Sequence, residues 1–163
     1  MANFEIIDNF LPEHEFLAIK TMMLNNKDFP YYFFSDVSYE GTELEKTMYF
    51  VHMFYVNHGT SNFYSVVHPL IEKLNAHALI RVKGNLYPNI GECVEDVAHI
   101  DYPFEHKGAL YFINTNNGVT ILDDGTRINS VANRLLKFEP HTLHNSTFCT
   151  DAKVRVNINI NYF

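Results

Sequence analysis

The sequence predicts a mainly β domain with helices at its N-terminal end: two helices packed on a double-sheet barrel, a jelly roll. Three observations predict it. Helix-period apolar patterns occur only before residue 77, and about seven or eight short strand-like segments follow from Leu79 to the C-terminus. Among them, Asp123-Asp124-Gly125 is a strong hairpin signal.

The elements follow in order. Phe4–Ile7 reads as a short strand. A helix is expected over Pro12–Leu24, with Pro at an early helical position, Glu13 and Glu15 near its positive end, and a stripe of Phe16, Leu17, Ile19, Met22 and Met23. Residues 29–46 form an aromatic, irregular segment in which Tyr31–Phe34 suits a core or sheet-edge plug better than a substrate-gripping lid. Thr47–Val56 reads as a strand. Asn62–Ala76 reads as a second helix, because Phe63, Val66, Val67, Leu70, Ile71 and Leu74 recur at helical spacing. The remaining strands are expected at Ile80–Leu86, Val97–Asp101, Leu110–Asn114, Val119–Leu122, Arg127–Val131, Leu135–Phe138, Thr142–Ser146 and Val154–Ile160.

No repeat, linker or charge block divides the 163 residues, so one domain over residues 1–163 is expected. A formal charge of −7 gives no basic field for phosphate backbones, which disfavours nucleic acid as a partner. Cys93 and Cys149 show neither CxxC spacing nor disulfide-scaffold density, and no signal-like leader or membrane-length apolar run is present. A soluble, cytoplasmic protein is the simplest expectation. Oligomeric state is not legible.

The chemistry concentrates in His99-Ile100-Asp101, His144 and Arg155. In a strand, His99 and Asp101 share one face, and a second His brought in by another strand completes a 2-His-1-carboxylate set suited to Fe(II) with open positions. With nine histidines in the chain, His-x-Asp alone is weak evidence. The context strengthens it. Lys153 to Asn161 alternates strictly, with Arg155, Asn157 and Asn159 on one face and Val154, Val156, Ile158 and Ile160 on the other. If the polar face looks inward, a bound carboxylate would satisfy Arg155; if it looks to solvent, the valines and isoleucines are simply core.

Tyr87-Pro88, His99-x-Asp101, Tyr111-Phe112-Ile113-Asn114, Asn117-Gly118-Val119-Thr120, Asn133 to Phe138, His144 and Arg155, in this order, resemble the 2-oxoglutarate/Fe(II)-dependent oxygenases. The prolyl-4-hydroxylase-like branch, with its small microbial and phage-encoded members, is the most similar. The motifs cover residues 79–163, while Ile7 to Pro12 looks like the family's opening. The resemblance implies a double-stranded β-helix that binds Fe(II) through His99, Asp101 and His144 as the catalytic and metal residues. It implies 2-oxoglutarate as cosubstrate, its distal carboxylate on Arg155, with Tyr87 and Asn157 nearby. Such an enzyme uses O2, releases succinate and CO2, and hydroxylates a C–H bond of a peptide, amino acid or small molecule. A phage-encoded member would act in the host cytoplasm. Phe112 departs from a cosubstrate-binding Tyr in oxygen-sensing relatives, so that contact is expected to be absent or supplied elsewhere, by Tyr111 or Thr120. The acids Glu92, Glu95 and Asp96 are expected in a loop at the site mouth, where they would disfavour an anionic substrate.

Several residues compete. His141 could replace His144, but three residues apart in an extended segment they face opposite ways. His106 suits a surface or mouth position, and His52, His58, His68 and His77 suit surface or satisfied core. A cupin-type metalloprotein, an isomerase or binding module, is the alternative function, although cupins need no inward Arg. A structural β-domain with a fortuitous triad is the third.

Overall fold

The computed structural model describes residues 3–34 and 48–163. The later part of the aromatic segment expected over 29–46, and Thr47, lie outside the described residues. The chain runs β1 (Glu5–Ile7), α1 (Glu13–Asn25), β2 (Tyr32–Phe34), β3 (Tyr49–Val56), β4 (Gly59–Thr60), a 3-10 turn (Tyr64–Val67) and α2 (His68–Leu74). It then continues as β5 (Leu79–Pro88), β6 (Lys107–Phe112), β7 (Val119–Leu122), β8 (Arg127–Asn129), β9 (Arg134–Phe138), β10 (His144–Ser146) and β11 (Val154–Tyr162).

The described residues form two antiparallel sheets. The large one is ordered β1-β9-β6-β11-β5-β3-β2 with β4 beside β3, and the small one is β10-β7-β8. The small sheet turns at Gly125, whose φ of 83° is the left-handed conformation that the Asp-Gly hairpin signal anticipates. The helices cover one face of the large sheet. Phe16, Ile19 and Met23 of α1 and Leu70 and Leu74 of α2 pack with Val82, Tyr111, Val156, Ile158 and Ile160. The other face looks toward the small sheet across an interior closed on one side by Leu110, Phe112, Leu122 and Phe138 and on the other by Tyr49, Val51, Tyr87 and Phe148.

Three local expectations are corrected. Leu17 is exposed, because α1 buries only the 16-19-23 stripe. The second helix is a 3-10 turn followed by α2; Pro69, without an N–H, begins a new helix rather than continuing one. Val97–Asp101 is not a strand: only Glu95↔Thr147 and His99↔His144 pair there, as isolated bridges against the small sheet. Among the described residues no helix is long and apolar enough to cross a membrane.

Candidate metal centre

β11 pairs with β5 so that Arg155 lies opposite Tyr87, Asn157 opposite Asn85, Asn159 opposite Lys83 and Asn161 opposite Arg81. Side chains alternate, so these eight form two adjacent inward rows while Val156, Ile158 and Ile160 face the helices. The face carrying Arg155 is therefore interior: Arg155 and Asn161 are 0% exposed.

His99, Asp101 and His144 converge over this wall, each offering a ligand atom within 4.8 Å of the others. The convergence has a backbone cause. His99 N–H donates to the His144 carbonyl and His144 N–H to the His99 carbonyl, both at 2.9 Å, so the two rings sit side by side with centroids 4.7 Å apart. Each ring's Nδ1 faces a carbonyl, Val97 O at 3.4 Å and Thr142 O at 3.0 Å. A carbonyl only accepts, so Nδ1 carries the proton and Nε2 is left bare for a ligand. Burial, and then the neighbouring His144, push His99 down to about 4, so its imidazole is neutral at pH 7. Burial alone would raise Asp101; Arg81, then His144, Lys83 and the Asn159 amide outweigh it and hold the carboxyl well below the usual carboxylate range. A neutral imidazole, a second histidine and an ionised carboxylate fit a divalent first-row metal such as Fe(II). His141 is not part of the cluster.

Asp101 is oriented from behind. Arg81 Nη2 donates to Oδ1 at 2.8 Å and Asn159 Nδ2 to Oδ2 at 3.1 Å. Asn161 Nδ2 donates to Asn159 Oδ1 at 2.7 Å, and His106 Nε2 meets Asn161 Oδ1 at 2.7 Å. The carboxylate can only accept, which fixes the direction of both amides and makes His106 a donor at the far end. His106 is thus buried and linked to the metal carboxylate, not a mouth residue.

At the opposite end, Arg155 donates from Nε to Ser130 Oγ and from Nη2 to Thr120 Oγ1, both at 2.9 Å, while its buried Nη1 has no partner among the described residues. Its guanidinium carbon lies 5.4 Å from the Tyr87 ring centre and 5.9 Å from that of Phe112. The approach is close enough that a Cβ at Gly118 would stand 2.7 Å from Arg155 Cδ. Asp96 completes this end. It is 4% exposed with neither carboxylate oxygen partnered, and burial raises it to about 7 against the pull of Arg155. Lys83, half-buried, is pushed down to about 8 by burial and then by Arg81. Its ammonium lies 5.5 Å from the Tyr49 ring centre.

Of the residues singled out in the sequence, His99, Asp101, His144, Arg155, Tyr87 and Asn157 share this interior. Asn157 accepts from Asn85 at 2.9 Å. Tyr111 does not join them: as the neighbour of inward Phe112 it points to the helices, packs on Phe10 and Phe16, and donates to Asn133 at 2.7 Å. Thr120 instead reaches Arg155. The loop acids divide, with Glu92 and Glu95 exposed and Asp96 buried. Tyr32, Phe33 and Phe34 form the edge strand of the large sheet, as the sheet-edge alternative expected, but they are exposed and do not plug the core. His52 is a satisfied core histidine between Pro30 O and Ser61 Oγ, both at 2.8 Å. Arg81, Lys83 and Asn85 were missed, although Arg81-x-Lys83-x-Asn85-x-Tyr87 alternates as plainly as β11 does.

No family model and no curated protein matches the chain. Solved structures do. A prolyl hydroxylase from Trichoplax adhaerens, in complex with a hypoxia inducible factor oxygen degradation domain peptide fragment, superposes with a TM-score of 0.72 at 16% identity, covering 100% of this chain and 84% of that one. A Pseudomonas putida prolyl-4-hydroxylase gives 0.62 at 12% identity, over 99% and 93% of the two chains. A viral collagen prolyl hydroxylase from Paramecium Bursaria Chlorella virus-1, a 2OG complex, gives 0.61 at 13%, over 97% and 93%. The chain thus has the fold of the 2OG-Fe(II) oxygenases.

Proposed function

We propose that the chain is a 2-oxoglutarate- and Fe(II)-dependent dioxygenase that hydroxylates a C–H bond of a peptide, amino acid or small molecule. The observation that carries this is Arg155: a wholly buried guanidinium with one nitrogen unpartnered among the described residues, facing the same interior as a His/Asp/His cluster. A buried cation left short of an acceptor is costly unless a ligand supplies one, and a carboxylate does so best. Cupin-type chemistry has no use for that group.

His99, Asp101 and His144 would hold the iron. With 2-oxoglutarate it supplies oxygen activation, the cosubstrate leaving as succinate and CO2 while a substrate C–H bond gains a hydroxyl. The protein's own part is positioning. Arg155, fixed by Ser130 and Thr120, would take the distal carboxylate, and Tyr87 and Phe112 shield that ion pair from water. Arg81 and Asn159 keep Asp101 ionised and aimed. An aromatic path from exposed Phe34 to Tyr49, ring centres 5.8 Å apart, offers an apolar approach for a peptide or small organic substrate.

Anaerobic addition of Fe(II) and 2-oxoglutarate should produce a weak visible charge-transfer band, and Asp101→Ala should abolish both the band and succinate formation. A native protein that takes up no metal and shows no band, or an Asp101→Ala variant with full succinate output, would overturn the proposal.

A further inference from the structure

Among the described residues, Arg81, Lys83, Arg155, Asp96 and Asp101 are the charged side chains that face the interior between the sheets. Arg81 is committed to Asp101 at 2.8 Å. Asp96 offsets one more charge at most, and neither of its oxygens bonds to a cation. Arg81 Nε is also unpartnered, but its charge is met by Asp101, so Arg155, with its open Nη1, and the Lys83 ammonium are the charges left. Among the described residues, Lys83 makes no hydrogen bond or ion pair through its ammonium.

The two free groups are not scattered. Lys83 stands opposite Asn159, whose amide holds Asp101, so its backbone is level with the metal cluster. Its side chain leans the other way, placing the ammonium 5.5 Å from the Tyr49 ring centre. Tyr49 stacks on Tyr87, with centroids 5.4 Å apart and planes 12° from parallel, and Tyr87 lies 5.4 Å from the Arg155 guanidinium. One aromatic wall therefore carries a cation at each end. Neither tyrosine hydroxyl bonds to the described residues. An interior with this surplus of positive charge complements a dianion.

Resting on the function proposed above, we infer that Lys83 and Arg155 form a two-point clamp for a dicarboxylate, Arg155 taking one carboxylate and Lys83 the other. The cosubstrate is then gripped at both ends by the chain's own side chains, in addition to any bond it makes to the metal. A role for Lys83 in holding an anionic group of the oxidised substrate is the competing assignment. The lean of Lys83 along the Tyr49–Tyr87 wall toward Arg155 favours the clamp.

Glutarate separates the two assignments, because it has both carboxylates and no keto group with which to chelate iron. Calorimetric titration of the full chain, treated with chelator and checked for unchanged circular dichroism, should show glutarate binding at least about tenfold more tightly than pentanoate. If chelation unfolds the chain, the Mn(II)-loaded protein serves with the same ligands. Lys83→Gln and Arg155→Gln should each weaken glutarate binding about tenfold or more, and Lys83→Arg should restore it to within about threefold of wild type. Equal binding of glutarate and pentanoate would overturn the clamp. So would wild-type glutarate affinity in Lys83→Gln, and if that variant also lost substrate-coupled turnover, Lys83 would belong to the substrate. Either failure leaves the Fe(II)·2-oxoglutarate band unaffected, so failure of the clamp is distinguishable from failure of the oxygenase assignment.

Discussion

The two faces of β11 are both buried, and they are built from opposite chemistries. Val156, Ile158 and Ile160 press against the helices, each 0% exposed, in a layer completed by residues of the chain itself. One residue away along the same backbone, Arg155, Asn157, Asn159 and Asn161 face an interior just as hidden from solvent. There the polar network leaves atoms open at both ends and between them: Arg155 Nη1, the Asp96 oxygens, Asn85 Oδ1 and Arg81 Nε. The difference teaches that burial here serves two ends. The helix face converts burial into stability, whereas the interior face leaves part of its hydrogen-bonding capacity unused among the described residues.

Substitutions on the two faces should therefore separate stability from binding. The largest stability effect is expected from Ile158→Ala, which opens a cavity under the helices and should cost about 2–5 kcal/mol in chemical denaturation. Metal affinity measured well below the melting point should stay at the wild-type level; a parallel loss would mean that the faces are not independent.

Asp96→Asn should move stability in the other direction. The folded protein keeps the Asp96 proton to about pH 7, while the unfolded chain releases it near its ordinary value of 3.8. Folding therefore binds a proton between those values, and stability from this group falls as pH rises from about 4 to 7. By pH 8 the full penalty is present, and Asp96→Asn should recover on the order of 2 kcal/mol, with little gain at pH 4. Melting temperatures of both proteins across that range test it. Parallel curves would remove Asp96 from the account.

The smallest effect is expected at the end of the relay. His106→Leu strips the donor from Asn161 and loosens Asp101 only through two amides, so Mn(II) affinity should fall about threefold to tenfold, with His106→Gln partly restoring it. Affinity unchanged in His106→Leu would confine the relay to a structural role.

Much of this was legible in the sequence, for identifiable reasons. The Asp-Gly hairpin and the alternation of Val154 to Asn161 are local signals, and they carried over intact. So did His99-x-Asp101, even though its segment is not a regular strand, because two antiparallel bonds to His144 set the same side-chain geometry. What the sequence could not supply depends on register. Ser130 and Thr120 become partners of Arg155 only when β7 and the turn after β8 close over β11. His106 becomes part of the Asp101 network only because Asn161, near the end of β11, lies within its reach. Tyr111 and Phe112 are adjacent aromatics whose roles were exchanged by one step of parity. Arg81 and Lys83 were readable in principle, but only once β5 was known to lie beside β11.

Gly118 has a consequence for energetics. Because no side chain intrudes there, Arg155 can pass close to the Gly118 backbone, pinned by two hydroxyls before any ligand arrives. The entropy of ordering its rotamers is lost during folding rather than during association, which is the thermodynamic meaning of preorganisation. A dianion entering such a site finds a receptor that needs little rearrangement, so its binding free energy passes almost whole into the folding equilibrium. Saturating ligand should then act as a folding cofactor, raising resistance to heat and protease together.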